Sequence, residues 1–103
     1  MTEKRKPTFD LAAFKAAFAD VDTLNVTGTA VRSAAALGFG RAEIVATIRT
    51  MQRAHFYKSM TSHADHRVWQ DVYHVQVGTL YVKFTADAVT EFLLFSFKRK
   101  DDD

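Results

Sequence analysis

The sequence of 103 residues contains no cysteine, a single proline and four glycines. Without cysteine the chain can form neither disulfide bonds nor a zinc site with thiolate ligands. No stretch approaches the roughly 18 apolar residues that a membrane span requires. The N-terminus has a basic start, but Asp10, Lys15 and Asp20 interrupt the apolar region that a secretory signal would need. These absences predict a cytoplasmic protein without a membrane partner.

The composition predicts one globular domain over residues 1–103. Hydrophobic residues make up 48% of the chain and charged residues 25%, a balance without the signature of disorder. A chain of this length can bury a core without covalent staples. The formal net charge of +2 includes the terminal acids Asp101, Asp102 and Asp103, and removing these three negative charges leaves +5. A basic body is compatible with a polyanionic partner.

Hydrophobic periodicity predicts three helices in the N-terminal half, because apolar residues recur there at helical spacing. The first helix follows a cap at Thr8 or Asp10. The second covers TAVRSAAALG from Thr29 and ends at Gly38, a common residue just beyond a helix. The third begins after Gly40. We expect these helices to bury their apolar sides against a sheet.

The C-terminal half has the composition and alternation of strands. We expect strands over 56–60, 67–77, 80–85 and 91–98, with Gly78 and Thr79 as a two-residue hairpin turn. The last segment is apolar on both faces, which predicts a central strand. A short edge strand over 24–26, a mobile arm over 1–7, a turn over 86–90 and a charged tail over 99–103 complete the prediction. The fold class is α+β, with helices packed on one antiparallel sheet.

The most informative stretch is HFYKSMTSHADHRVWQDVY, residues 55–73. It combines four aromatic residues, an isolated lysine, a glutamine and three of the four histidines. Aromatic rings can stack on bases or fill a core, and the varied polar groups beside them favour catalysis or recognition. His63 and His66 have HxxH spacing, but neither cysteine nor an HExxH helix accompanies them. We therefore expect no metal and no cofactor.

The segments FYKSMT, DH and WQDVY, followed by LYVKFT and LFSFKRK, resemble the MqsR family of bacterial motility and quorum-sensing regulator toxins. The N-terminal GTAVRSAAALGF matches the general shape of the family more loosely. The resemblance implies a RelE-like fold and an mRNA interferase that cuts without the ribosome at a GCU-like triplet. The expected reaction is a metal-independent transesterification that leaves 2′,3′-cyclic phosphate and 5′-hydroxyl ends. The implied partner is an antitoxin of MqsA type, itself zinc- and DNA-binding.

Three residues match positions that are catalytic in that family: Lys58 of FYKSM, Gln70 of WQDVY and Tyr81 of the YxK segment. Lys58 could act as a base if burial or nearby Lys83 lowered its pKa, or could stabilise the phosphorane as a cation. Gln70 could contact a phosphate or a 2′-hydroxyl, and Tyr81 could donate to the phosphate or the leaving oxygen. The structural alternatives are a solvated lysine, a glutamine paired with neighbouring strands and a tyrosine that covers the sheet.

Five further residues are candidates for RNA binding, because they add rings or cations to the same segments: Tyr57, His66, Tyr73, Lys83 and Lys98. His66 follows Asp65, which could orient its imidazole as an acid or fix the loop. Lys98 begins a basic end, with Arg99 and Lys100, that could grip phosphates or keep the strand end soluble.

One departure from the family bears on sequence preference. His74 stands where the family usually has a basic residue, and the connection between Tyr73 and Tyr81 is shorter. Two other functions also fit the sequence: a noncatalytic RNA-binding or regulatory module, and a degenerate toxin homologue that acts only by protein interaction. Loss of cleavage with retained binding would distinguish the enzyme from the first. Weak, salt-insensitive RNA affinity would favour the second.

Overall fold

The computed structural model describes residues 2–76, 79–87 and 91–100. Its helices and strands, in chain order, are β1 (Glu3–Lys4), α1 (Leu11–Ala17), α2 (Gly28–Ala36), α3 (Arg41–Arg49), β2 (Phe56–Thr61), β3 (Trp69–Val75), β4 (Leu80–Asp87) and β5 (Glu91–Arg99). The five strands pair antiparallel in the order β1-β2-β3-β4-β5. The predicted α+β fold, with N-terminal helices on an antiparallel sheet, is confirmed. None of the helices described is long and apolar enough to cross a membrane.

Local chemistry sets the ends of the helices. The side chains of Asp10 and Thr27 accept hydrogen bonds from backbone amides in the first turns of α1 and α2. The amide of Gly40 donates to Glu43 Oε1 at 2.8 Å and begins α3. Gly38 has a φ of +85°, a left-handed conformation that glycine adopts without strain, and terminates α2. The predicted starts at Asp10 and Gly40 and the predicted stop at Gly38 are confirmed.

The helices pack on one face of the sheet, which we call the core face. Phe14 of α1 stacks on Phe84 of β4 with 3.7 Å between ring centroids and an angle of 7° between the rings. The fully buried apolar side chains of this layer include Phe14, Phe18, Ala34, Ile48, Tyr73, Val75, Val82, Phe84, Leu94 and Phe97. Burying a large apolar side chain stabilises the fold by about 1.5–3 kcal/mol. The core therefore joins the helices to β3, β4 and β5.

β5 lies at an edge of the sheet, so the prediction of a central strand is wrong. In the described part of the chain, the only backbone pairing on the outer side of β5 is an isolated parallel bridge between Val26 and Leu94. The amide of Leu94 donates to the Asn25 carbonyl at 2.9 Å, and the amide of Thr27 donates to the Leu94 carbonyl at 3.1 Å. The short strand expected over 24–26 is thus reduced to this bridge.

A bulge in β5 explains why this edge strand is apolar on both faces. Opposite β4, the register shifts between Lys83, which pairs with Ser96, and Phe84, which pairs with Leu94. A bulge inserts one unpaired residue and interrupts the alternation of faces. Leu94 and Phe97 are consequently both buried in the core, and Phe95 between them is 40% exposed.

The N-terminal segment forms the opposite edge of the sheet. Glu3 and Lys4 pair with Met60 and Ser59 of β2. The prediction of a mobile arm did not anticipate this strand, because two polar residues have no strand signal without their distant partner. The fully buried Asp71 also holds the segment that follows, since its carboxylate accepts from the amides of residues 8 and 9 at 2.9–3.1 Å.

Two predicted turns and the predicted charged tail lie partly outside the described residues. Gly78 of the predicted hairpin turn is outside them, although Thr79 is described and β4 begins at Leu80. Residues 88–90 of the predicted turn before β5 and residues 101–103 of the charged tail are outside them as well.

Candidate active site

The antiparallel register determines which side chains share the face opposite the helices, which we call the open face. Residues paired directly across neighbouring strands lie on the same face. Lys58 pairs with Val72, and Val72 pairs with Lys83; the next row contains His74, Tyr81 and Lys98. The polar side chains of the open face include Glu3, Lys58, Gln70, His74, Tyr81, Lys83, Thr85, Ser96 and Lys98. The three predicted catalytic residues are therefore on one face.

The open face is strongly cationic. Lys58 and Lys83 flank the fully buried Val72 in one row, and their Cα atoms are roughly 10 Å apart at two strand spacings. Burial lowers the pKa of Lys83, and the positive charges of Lys98 and Lys58 lower it further. Half-buried ammonium groups that repel one another gain from an anionic ligand. This arrangement fits the phosphates of a nucleic acid.

Lys58 is held in place by the N-terminal edge strand. Its Nζ donates to Glu3 Oε2 at 2.6 Å, and the two side chains are 19% and 45% exposed. The hydrogen bond from Lys58 is the main reason that the pKa of Glu3 is lowered. Because the carboxylate lies at the surface, an incoming phosphate oxygen can take its place on the ammonium group.

A bulge in β2 places an aromatic ring over the neighbouring strand. The register between β2 and β3 shifts between Phe56 and Lys58, so Tyr57 is the extra residue. Its ring stacks on the imidazole of His74, with 4.2 Å between centroids and 22° between planes, and Tyr57 is 40% exposed. The His74 ring is in turn 6.0 Å from the ring of Tyr81. The three rings form a continuous aromatic row.

An open pocket of about 250 Å³ lies beside these three rings and is lined by Tyr57, Lys58, His74, Tyr81 and Lys100. Three rings and two ammonium groups thus surround one concave space. Rings offer stacking surfaces to bases, and lysines neutralise phosphates. The Nζ atom of Lys98 is 5.2 Å from the Tyr81 ring centroid, beside this pocket. The pocket combines the predicted residues Tyr57, Lys58 and Tyr81.

His74 belongs to this pocket, although the sequence analysis did not include it among the site residues. Burial lowers its pKa, and the positive charges of Lys100 and Lys58 lower it further. The imidazole is therefore neutral at pH 7. Strand periodicity could have identified it, because positions 70, 72 and 74 of β3 alternate onto the same face.

Gln70 shares the open face but lies outside the lining of the pocket. It is four residues from His74, roughly 13 Å along β3. Met60 and Thr85 are its cross-strand neighbours, and it is only 4% exposed. Its side-chain amide makes no hydrogen bond to any described residue. The alternative of a glutamine whose amide pairs with the neighbouring strands therefore has no supporting hydrogen bond among those residues. The amide keeps its donors and its acceptor for a ligand.

Tyr73 and His66 are not brought to the pocket. Tyr73 lies on the core face, fully buried against Phe56 and Phe84, and burial raises the pKa of its hydroxyl to about 12. That hydroxyl has no hydrogen-bond partner among the described residues. His66 is exposed in the loop 62–68, which joins the other end of β3.

Asp65 was considered above as the residue that orients His66, but its hydrogen bonds go to Arg67. The carboxylate of Asp65 accepts from the amide of Arg67 at 2.9 Å and from its Nε at 3.1 Å. Within residues 2–76, 79–87 and 91–100, no group of three or more His, Cys, Asp or Glu residues could hold a metal ion. The side chains that line the pocket carry ammonium, phenol and imidazole groups.

Comparison with known proteins identifies the family to which the chain belongs. The family model described as "Motility quorum-sensing regulator, toxin of MqsA" matches residues 6–99, which include all three helices and strands β2 to β5. A relative from Escherichia coli (strain K12), named "mRNA interferase toxin MqsR", is 34% identical over 100 residues, which cover 95% of this chain and 99% of the relative. The resemblance inferred from the sequence motifs is confirmed, and the chain belongs to the MqsR toxin family.

Proposed function

We propose that this protein is the toxin of a type II toxin–antitoxin system and cleaves mRNA as an endoribonuclease. The observation that carries the proposal is the pocket that Lys58 and Tyr81 line together with Tyr57, His74 and Lys100. Membership of the MqsR family and the name of the E. coli relative, an mRNA interferase, support the same reaction. The partner is an MqsA-type antitoxin that binds zinc and DNA.

RNA lies across the open face, with its phosphates on the lysines and its bases on the rings. Lys58, Lys83 and Lys98 occupy adjacent rows of three different strands. The stacked rings of Tyr57 and His74 offer one surface for an unpaired base, and stacking contributes about 1–3 kcal/mol per base. A single-stranded segment fits this surface because unstacked bases can be turned toward the rings.

The reaction is a transesterification within the RNA. The 2′-hydroxyl attacks the neighbouring phosphorus, the bond from phosphorus to the 5′-oxygen breaks, and the products carry a 2′,3′-cyclic phosphate and a 5′-hydroxyl. Lys58 stabilises the charge on the phosphorane, and Tyr81 donates its proton to the leaving 5′-oxygen. Gln70 binds a phosphate or 2′-hydroxyl farther along the strand. Neither a metal ion nor the ribosome takes part, and the preferred site is a GCU-like triplet.

The test is cleavage of a defined mRNA by the purified protein in EDTA, without ribosomes, with sequencing of the cut sites and analysis of the end groups. We expect cuts at a recurring GCU-like triplet with cyclic phosphate ends. Lys58→Ala, Gln70→Ala and Tyr81→Phe should abolish or strongly reduce the cuts. Arg32→Ala is the control, since Arg32 is exposed on α2, away from the open face.

Two results would contradict the proposal. Folded wild-type protein that leaves the mRNA intact, both alone and with ribosomes added, would indicate a noncatalytic RNA-binding or protein-interaction role. Cleavage that continues unchanged in all three open-face variants would locate the chemistry elsewhere.

A further inference from the structure

His74 lines the pocket, and its ring is held there by aromatic contacts. It is half-buried and lies between Tyr57, at 4.2 Å between ring centroids, and Tyr81, at 6.0 Å. The near-parallel stack on Tyr57 restricts the plane of the imidazole. A ring held in this way, in a pocket that two lysines also line, is a suitable position for proton transfer to or from a bound nucleotide.

Both ring nitrogens of His74 are without a hydrogen-bond partner among the described residues. His55 shows the contrasting, structural use of a histidine in this chain, because its Nδ1 accepts from the Gln52 amide at 3.0 Å. One ring nitrogen of His55 is thus engaged by the protein. The nitrogens of His74 are available to a ligand.

The groups around His74 favour its neutral form. The titratable side chains near His74 come from the neighbouring strands and from the residue after β5. They are Tyr57 and Lys58 of β2, Tyr81 and Lys83 of β4, Lys98 of β5 and Lys100. Glu3 reaches this group through its ion pair with Lys58, and Asp71 of β3 lies on the core face. Burial is the main cause of the lowered pKa of His74, followed by Lys100 and Lys58. A neutral imidazole can accept a proton.

We propose that His74 is the general base of the reaction, accepting the proton of the attacking 2′-hydroxyl. This assignment rests on the proposed ribonuclease function and deepens it. The 2′-oxygen loses its proton to a ring nitrogen and forms a bond to phosphorus. The bond from phosphorus to the 5′-oxygen breaks, and that oxygen takes the proton of the Tyr81 hydroxyl. The imidazolium then returns one proton, through water, to the tyrosinate.

The assignment separates the duties of His74 and Lys58. Lys58 is the donor in its 2.6 Å hydrogen bond to Glu3, and a donor ammonium group suits the developing negative charge of the phosphorane. A base needs an unshared electron pair at working pH, which the neutral imidazole has. The two side chains line the same pocket, so one phosphodiester group can meet both.

The experiment is the pH dependence of kcat/KM for cleavage of a short RNA, measured for the wild type, His74→Gln and His74→Phe. His74→Phe keeps a ring to stack on Tyr57, whereas His74→Gln keeps polarity without a titrating group. His63→Gln is the matched control, because His63 is exposed in the loop at the other end of β3. Affinity is measured separately with an RNA carrying a 2′-deoxy nucleotide at the cut site, which cannot react.

We expect both His74 variants to lose about 10²–10⁴-fold in kcat/KM, the usual contribution of a positioned acid or base. The wild type and His63→Gln should lose activity as the pH falls through a pKa below 6.5, and this acidic limb should be missing in both His74 variants. Affinity for the deoxy RNA should change little. A merely structural role would lower rate or affinity without removing the acidic limb.

Two different results would overturn the assignment. If the wild type cleaves and both folded His74 variants retain the acidic limb, His74 is not the base and the ribonuclease function still stands. If the folded wild type does not cleave under any condition, the ribonuclease function fails and the assignment fails with it. An NMR titration of the wild type that gives His74 a pKa above 6.5 would also contradict the argument.

Discussion

Tyr73 and His74 are neighbours in β3, yet they belong to opposite sides of the molecule. Tyr73 is fully buried in the core with an unpartnered hydroxyl among the described residues, and His74 stacks on Tyr57 in an open pocket. Both are aromatic, and both lie within or beside the densest motif of the sequence. Residue type therefore does not identify the site; the face of the sheet does.

The same contrast extends across the strands. The core face of β4 presents Val82 and Phe84 to the helices, while its open face presents Tyr81, Lys83 and Thr85. The core face carries the apolar packing against the helices, and the open face carries the lysines. Substitutions on the two faces should consequently change different measurements.

The largest effect on stability should come from the core face. Phe84→Ala removes a ring that stacks on Phe14 at 3.7 Å, and truncating a buried phenylalanine lowers the free energy of unfolding by about 3–5 kcal/mol. Phe95→Ala is the control, because this ring is 40% exposed in the β5 bulge, and its loss should cost less than about 1 kcal/mol. Urea unfolding measures both, and equal losses would contradict the division into two faces.

The largest effect on activity should come from the open face. Lys58→Ala removes the ammonium group that we assign to the phosphorane, so kcat should fall about 10²–10³-fold, as for loss of other groups that stabilise charge in a transition state. Its partly exposed ion pair with Glu3 contributes at most about 1 kcal/mol to folding. Single-turnover cleavage and urea unfolding of the same preparation test this. A large loss of stability with intact cleavage would reverse the assignment.

Two tyrosines, one on each face, should give smaller changes than Phe84→Ala and Lys58→Ala. Tyr73→Phe removes a buried hydroxyl that has no partner among the described residues, so the free energy of unfolding should stay the same or rise by about 1 kcal/mol. Cleavage should be unaffected. Tyr81→Phe should leave stability nearly unchanged but reduce the cleavage rate. If Tyr73→Phe were the variant that loses cleavage, the core face would have a catalytic role that this account denies.

The smallest expected effect concerns salt. Lys83→Ala removes one of the cations in the open-face rows, and each phosphate contact to single-stranded RNA contributes about 0.7 to the slope of log affinity against log salt concentration. The magnitude of the slope should fall by about that amount. Fluorescence anisotropy with a deoxy-substituted RNA measures it, with Lys15→Ala as a lysine control on α1, whose Nζ donates to the Met51 carbonyl. An unchanged slope would remove Lys83 from the RNA path.

Much of this fold was predictable from local patterns. Helical spacing and the residues Asp10, Gly38 and Gly40 located the helices, and alternation located β2 to β4. The position of β5 was not predictable, because a bulge at Phe95 imitates a strand buried on both faces. Strand β1 also escaped prediction, since its two residues gain their structure only by pairing with β2. Both failures concern contacts between residues far apart in sequence.

The candidate site was predictable to a different extent. Lys58, Gln70 and Tyr81 were identified through the family resemblance, and the register places all three on the open face. The stack of Tyr57 on His74 depends on a second bulge, which no local pattern indicates. The ion pair between Lys58 and Glu3 depends on β1. Geometry around the motif residues therefore required the structure.

An NMR titration of the protein with a deoxy-substituted, uncleavable RNA would be decisive for the open face as the RNA surface. We expect the largest shifts at Tyr57, Lys58, His74 and Tyr81, with Arg32 of α2 unchanged. Shifts confined to the helices, or no shifts with folded protein at low salt, would contradict it.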